Sequence, residues 1–341
     1  MAVELDPLSV LAAYPDECRS AEVECLGSAG GFSGARFWRV RARAGLLCLR
    51  RWPREHPSAE RLEFIQAVLW HVVREGFELV PLPLSTRLHK GYVPHAGHFW
   101  ELAPWMPGEA DFQEDPTDEK LSEAMMALAR FHRAAATFPL PDPPLSPSPG
   151  IRDRLRQLKE WTSGGLDRLA AAVDPGLWPE LNGRAARLFR LVRRGADRVF
   201  QQLDDSGRYR VSLEPCIRDV WHKHVLFEGG QVTGLIDFGS MAAENVAADV
   251  ARLLGSMARD DRHLWQVGLD AYGSVRPLSE AEISLVHAFD RSTVLMSGLT
   301  WIDWIYRQRR VFDNRDVIPH RLDEVLLRLE RFVGTMEQGD S

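Results

Sequence analysis

Apolar residues fall in short alternating runs over the first hundred positions and at helical spacing over most of the rest. "AEVECLG", "ARFWRVRA" and "LLCLRRWP", the last closed by Pro53, predict three strands. "SAERLEFIQAVLWHVVREG" predicts a helix that begins at an N-cap, Ser58, and stops at Gly76. "VPLPLST" and "HFWELAPW" predict two further strands. The N-terminal region therefore reads as a small antiparallel sheet with one helix packed on it.

From "TDEKLSEAMMALARFHRAAA" onward the pattern is mainly helical. "LPDPPLSPSPG", Leu140 to Gly150, reads as a loop because of its proline and serine content. Helical spacing returns in "PELNGRAARLFRLVRRGADRVFQQL", "AADVARLLGSM", "EISLVHAFDRSTVLMSGLTWIDWIYRQRR" and "HRLDEVLLRLERFV". One stretch breaks the pattern. "CIRDVWHKHVLFEGGQVTGLIDFGS", Cys216 to Ser240, predicts a hairpin turned at Gly229-Gly230, with Asp219 before it and Asp237 after it.

Composition narrows the function classes. The 341 residues carry a net charge of −6, with 45% hydrophobic and 26% charged residues, as in ordinary globular proteins. No basic excess points to nucleic acid, and no apolar run is long enough to span a bilayer. The N-terminus has no basic segment followed by an apolar one, so a cytoplasmic protein is expected. Cys18, Cys25, Cys48 and Cys216 show no metal-ligand spacing and are expected to be reduced thiols.

Three stretches carry candidate chemistry. In "GSAGGFSGARFWRV", glycines between two strands let backbone N–H groups approach phosphate oxygens; Gly30, Gly31, Phe32, Ser33 and Gly34 are the candidates. An ordinary hairpin would read the same way. "LLCLRRWP" then offers Arg50 or Arg51 as a cation against phosphates, and alternation sends these neighbours to opposite faces without saying which meets a ligand. Phosphoryl transfer also needs a carboxylate to deprotonate the acceptor and hard oxygen ligands for a divalent ion. Asp219 and Asp237, brought together by the hairpin, supply both.

"IRDVWHKHVLF", "GLIDFG" and "AADVARL" resemble the aminoglycoside phosphotransferase and choline kinase-like family, small-molecule kinases related to protein kinases. That family carries H-G-D-x-x-x-x-N, then I-D-F/W-G/E, then an acid near the start of a D-L-A helix. The resemblance runs over roughly residues 20 to 260 in the family's order. It implies an α+β, two-lobed protein kinase-like fold, with a β N-lobe over residues 1–104 and a larger helical C-lobe over 105–341. It implies Asp219, preceded by Arg218, as catalytic base, Asp237 as metal ligand and Asp249 as the helix-capping acid that braces the loop. The glycine stretch becomes the phosphate-covering loop, and Arg50 the phosphate cation. "FWELAPWMPGEA" becomes the adenine hinge, with the Pro104 carbonyl and the Met106 N–H as its contacts. Glu63, with Glu60 as competitor, is the expected helix carboxylate for Arg50. ATP with Mg²⁺ or Mn²⁺, and a small hydroxylated acceptor, are the implied cofactors and partner.

Two departures from the family pattern matter. Ile217 and Arg218 stand where the family has His and Gly. His224 stands where it has the asparagine that lends oxygen to the metal. Four readings of His224 stay open: a ligand for a softer ion, a hydrogen bond to Asp219, a protonated group on the γ-phosphate, or the mark of a pseudokinase that binds nucleotide without transfer. "SGLTWIDWIYRQRR" places Trp301 and Trp304 on one helix face beside Asp303, as core or as a cage for a cationic acceptor.

Overall fold

The computed structural model describes residues 6–20, 22–28, 34–141, 145–310, 312 and 315–339, with side chains through residue 335. Helix α1 (Pro7–Leu11) opens the chain, capped by the Asp6 carboxylate. Strands β1 (Val23–Gly27), β2 (Arg36–Ala42) and β3 (Gly45–Arg51) follow as predicted, then helix α2 (Ala59–Arg74). Ser58 Oγ accepts the Arg61 N–H at 3.2 Å, and Gly76 takes a left-handed φ of 89° just past the helix end. Strands β4 (Val93–His95) and β5 (His98–Pro104) complete one antiparallel sheet in the order β1-β2-β3-β5-β4.

The strand expected in "VPLPLST" is absent, and β4 is one of the strands that periodicity missed. Pro81 and Pro83 remove two backbone donors, so the segment cannot sustain a ladder. It keeps one bond to the sheet, from Leu84 N–H to the Leu102 carbonyl at 2.8 Å.

Helix α3 (Asp118–Ala135) begins at its N-cap Thr117. Helices α4 (Pro149–Glu160) and α5 (Leu166–Ala172) come next, and α4 starts inside the stretch expected to be loop. Ser148 caps it and Pro149 sits in its first turn, where a missing N–H costs nothing. Then come α6 (Asn182–Ser206), the short strand β6 (Glu214–Cys216), the hairpin β7 (Val225–Glu228) and β8 (Gln231–Leu235), and strand β9 (Ala242–Glu244). Helices α7 (Ala247–Met257), α8 (Arg262–Val275), α9 (Glu280–Ile302) and α10 (Val317–Gly339) finish the chain. The α+β class and kinase-like order of elements stand as expected. No helix among the described residues is long and apolar enough to cross a membrane. The four cysteines are free thiols.

The chain forms two compact units. The first takes Met1–Pro139, Ile217–Ala242 and Val267–Arg276. Its sheet buries Val40, Leu49, Trp100 and Leu102 against Val10, Leu11 and Tyr14 of the α1 region, each at most 1% exposed. Removing a side chain such as Leu49 there would cost about 2–5 kcal/mol. The second unit takes Leu140–Cys216, Ala243–Gln266 and Pro277–Ser341, where α6 packs on α9 and α10. Arg50, Asp219, His224 and Asp237 all belong to the first unit.

Candidate active site

The two candidate acids sit beside unusual backbone. Arg218, just before Asp219, has φ 68°, and Asp237 itself has φ 62°. Left-handed non-glycine residues cost on the order of 1–3 kcal/mol each and persist where surrounding contacts over-determine them. Here those contacts are visible. Gly229 takes the hairpin turn at φ 59°, and Ile236 N–H donates to the His224 carbonyl at 3.0 Å. Phe238 is buried with its ring 5.7 Å from Phe131 of α3. Arg61 of α2 donates to the Ser240 carbonyl at 3.1 Å, closing the turn after Asp237.

Strand alternation resolves the choice between the two β3 arginines. Arg51 lies opposite Arg36, with Trp100 at 6.0 Å, and burial with the nearby Arg36 and Arg54 charges lowers its basicity. Arg50 takes the other face. Its Nη1 lies 3.0 Å from Asp237 Oδ1, and its guanidinium stacks 3.4 Å from the Trp52 ring centre and 5.3 Å from Phe37. Burial would raise the Asp237 carboxyl, but the Arg50 charge, then any charge carried by His224, and hydrogen bonds from Arg50 and the Gly239 N–H hold it below the usual carboxylate range. Arg50 Nε is buried with no hydrogen-bond partner, so the side chain has donor capacity left for an anion.

The expected pairing of Arg50 with Glu63 is not formed. Glu63 accepts from the Tyr92 hydroxyl at 3.1 Å and lies 3.9 Å from Lys90, and Glu60 is exposed. The α2 side chain that reaches the sheet is the buried Gln66, three positions on, whose Nε2 donates to Glu101 Oε2 at 2.6 Å and to the Gly91 carbonyl at 3.1 Å. Glu101 is the cross-strand partner of Arg50. Burial pushes its carboxyl up, against the Gln66 hydrogen bond and the Arg50 charge. Sequence reasoning missed Glu101, Gln66 and Trp52. Strand parity could have found Trp52, two positions after Arg50.

His224 is tied down at both nitrogens. The Trp221 indole Nε1 lies 2.9 Å from His224 Nε2, and His224 Nδ1 lies 2.8 Å from the Asp219 carbonyl oxygen. An indole N–H only donates and a carbonyl only accepts, so Nε2 offers its lone pair and Nδ1 carries the hydrogen. The imidazole is therefore neutral in this arrangement. Its Nε2 stands 3.8 Å from Asp237 Oδ2, so the ring bridges the backbone of one acid and the carboxylate of the other. Of the four readings, the hydrogen bond to Asp219 is present, made to its backbone carbonyl. For a divalent ion the donor chemistry fits at Asp237, an anionic, half-exposed oxygen donor. It does not fit at His224, whose only ligand-competent lone pair is taken by the indole.

The remaining expected positions fall as follows. Gly30, Gly31, Phe32 and Ser33 lie outside the described residues, while Gly34 has φ 79°, a conformation that favours glycine. Pro104 ends β5 opposite Leu47, and Trp105 N–H bonds the Leu46 carbonyl at 2.9 Å. Alternation then turns the Pro104 carbonyl away from β3, so the missing proline N–H costs the ladder nothing. Met106 is half-buried against Gly234. Asp249 is fully buried in the first turn of α7, whose N-cap is Val246, and Asn245 just before it accepts from Ala247 N–H with Oδ1 at 3.0 Å. In the second unit, Trp301 and Trp304 are half-buried with ring centres 5.3 Å apart. Arg310 covers the Trp304 face at 4.3 Å, and Asp303 accepts from Arg307 and Gln308. A protein cation already occupies that ring face.

A sequence model of the phosphotransferase enzyme family matches residues 25–282. The chain is 33% identical over 256 residues to a homoserine kinase of Bradyrhizobium diazoefficiens, covering 72% of this chain and 69% of that protein. It is 29% identical over 251 residues to a homoserine kinase of Chelativorans, covering 72% and 70%. An amicoumacin kinase solved with AMP-PNP, Ca²⁺ and Ami superposes with a TM-score of 0.63 at 13% identity, covering 93% of this chain and 90% of that one.

Proposed function

The chain belongs to the phosphotransferase enzyme family, kinases that move the γ-phosphate of ATP to a small-molecule hydroxyl, and on that premise we propose how its own residues divide the work. Asp219 orients the acceptor hydroxyl and takes its proton as the oxygen attacks the γ-phosphorus. The new bond is acceptor oxygen to phosphorus; the bond that breaks joins that phosphorus to the β–γ bridging oxygen, and ADP leaves. Arg50, held by Trp52 and Phe37, donates to phosphate oxygens. Asp237 would hold the divalent ion, which would supply charge neutralisation on the phosphates. Gly30 to Gly34 cover the phosphates, Pro104 and Met106 hold adenine, and Arg218 supports the loop. The observation that carries this division is the Arg50–Asp237 pair, 3.0 Å apart, beside a His224 ring bonded to the backbone of Asp219.

For the acceptor, we favour a compact hydroxylated amino acid, with homoserine the first to test. Two features support it over a polycationic sugar: the curated relatives are homoserine kinases, and arginines cover the Trp304 and Trp178 ring faces at 4.3 and 3.9 Å. A cytoplasmic enzyme would meet both ATP and such an acceptor there. A binding module without transfer is the weaker reading, because Arg50, Asp219 and Asp237 are all retained. The test is ADP release with ATP and Mg²⁺ over a panel of homoserine, serine, threonine, choline and an aminoglycoside. Homoserine-dependent turnover above the others supports the assignment. Turnover only with the aminoglycoside overturns the acceptor, and turnover with no alcohol overturns the enzyme.

A further inference from the structure

The departure at His224 comes with a second residue that gives it a meaning. A histidine in place of the family's asparagine would be expected to present a nitrogen to the divalent ion. Its ring is instead oriented by two hydrogen bonds of unambiguous direction. The Trp221 indole donates to Nε2 at 2.9 Å, and Nδ1 donates to the Asp219 carbonyl at 2.8 Å. The ring planes of Trp221 and His224 stand at 76° with centres 5.6 Å apart, an edge-on contact consistent with an N–H aimed at a lone pair. The His224 side chain is 14% exposed, so little water competes for that lone pair.

We infer that Trp221 is a specificity-determining residue: its indole N–H withholds His224 Nε2 from the divalent ion and makes His224 a positioning residue for the backbone of Asp219. The inference rests on the phosphotransferase reading only for the presence of a metal–nucleotide complex. Its consequence is chemical. An imidazole nitrogen recruits borderline ions such as Zn²⁺ and Co²⁺, whereas carboxylate and water select hard ions such as Mg²⁺. With Nε2 capped, the protein offers no nitrogen at this position, leaves the ion to the Asp237 carboxylate and water, and discriminates against the softer ions. Trp221→Phe keeps an aromatic side chain, smaller than the indole, and loses the N–H donor, so it should release the nitrogen.

The experiment uses the full chain labelled with ¹⁵N-histidine, with the His224 resonances assigned by their loss in His224→Asn. In the metal-free protein, Nδ1 should carry the hydrogen and Nε2 should not. That arm needs neither nucleotide nor a foldable Trp221 variant, and an Nε2–H tautomer overturns the inference. With ADP and Zn²⁺, the wild-type Nε2 signal should stay in place while that of Trp221→Phe shifts. Titration of Zn²⁺ or Co²⁺ should show affinity about tenfold tighter in Trp221→Phe, the scale on which outer-shell partners tune metal sites, and lost again in Trp221→Phe/His224→Asn. A wild-type Nε2 that moves on metal addition, or a Trp221→Phe protein with wild-type metal preference, overturns the inference. Absence of metal–nucleotide binding in every variant would count against the phosphotransferase reading, and the tautomer would still decide this one.

Discussion

Arg50 Nη1 and Asp237 Oδ1 lie 3.0 Å apart, though 187 positions separate them in sequence. The pair leaves Arg50 nearly buried and Asp237 partly open to solvent. Its value to stability is modest, because an ion pair with one exposed partner is screened. In the proposed phosphate-binding role its value is larger, because the stack on Trp52 holds the guanidinium in place. Arg50→Met should therefore lower kcat/KM by at least about 100-fold, the scale of losing one charged donor to a transition-state oxygen, while leaving Tm close to wild type. Arg50→Lys should recover only part of the rate, since an ammonium cannot reproduce the planar stack on Trp52. Steady-state ADP release alongside thermal melts checks both.

Asp219 is the proposed base, and its backbone carbonyl is held by His224. Asp219→Asn preserves size and removes the base. Turnover should fall about 10²- to 10⁴-fold, while ADP affinity by calorimetry stays unchanged. Wild-type turnover in this variant would remove Asp219 from its role.

Much of this is legible in the amino-acid sequence. The hairpin between Asp219 and Asp237 follows from the Gly229-Gly230 turn and the alternation around it, and the Ser58 cap of α2 follows from local chemistry. What escaped is set by register and partner choice. Glu63 and Gln66 lie three apart on one helix, and only the packing decides that the amide, not the acid, meets the sheet. Glu101 faces Arg50 through the pairing of β3 with β5, strands far apart in sequence. The strand expected over Val80 to Thr86 failed because proline chemistry outweighs apolar alternation. His224 could be read four ways until the indole donor of Trp221 came into view.

The depressed Asp237 carboxyl sets a pH signature. A carboxyl whose folded value lies below its unfolded value contributes stability that is fully present above the unfolded pKa, about 3.9 for aspartate, and is lost as pH falls through the folded value. The stability difference between wild type and Asp237→Asn should therefore be flat from neutral pH down to the ordinary carboxylate range and shrink below it. Denaturant unfolding of both proteins between pH 7 and pH 3 measures this. A difference that already disappears near pH 6 would mean that the Arg50 contact does not hold the carboxylate ionised.

Gly239 tests how tightly Trp52 supports the site. A Cβ added there would stand 3.0 Å from Trp52 Cζ3, 3.1 Å from Cη2 and 3.4 Å from Asp237 Oδ1. Trp52 is only 3% exposed, and its opposite role is to stack on Arg50 at 3.4 Å, so the indole has little room to yield. Gly239→Ala should cost about 1–3 kcal/mol, as overpacking does, and should depress kcat more than stability alone explains, because a shifted indole unseats Arg50 from Asp237. Trp52→Phe in the same chain removes the two crowded atoms and should recover most of the stability. The rate should recover less, since the smaller ring gives Arg50 a weaker stacking face. Denaturant unfolding and ADP release on the two single variants and the double variant separate these effects, and equal recovery of both would show that Trp52 acts on packing alone.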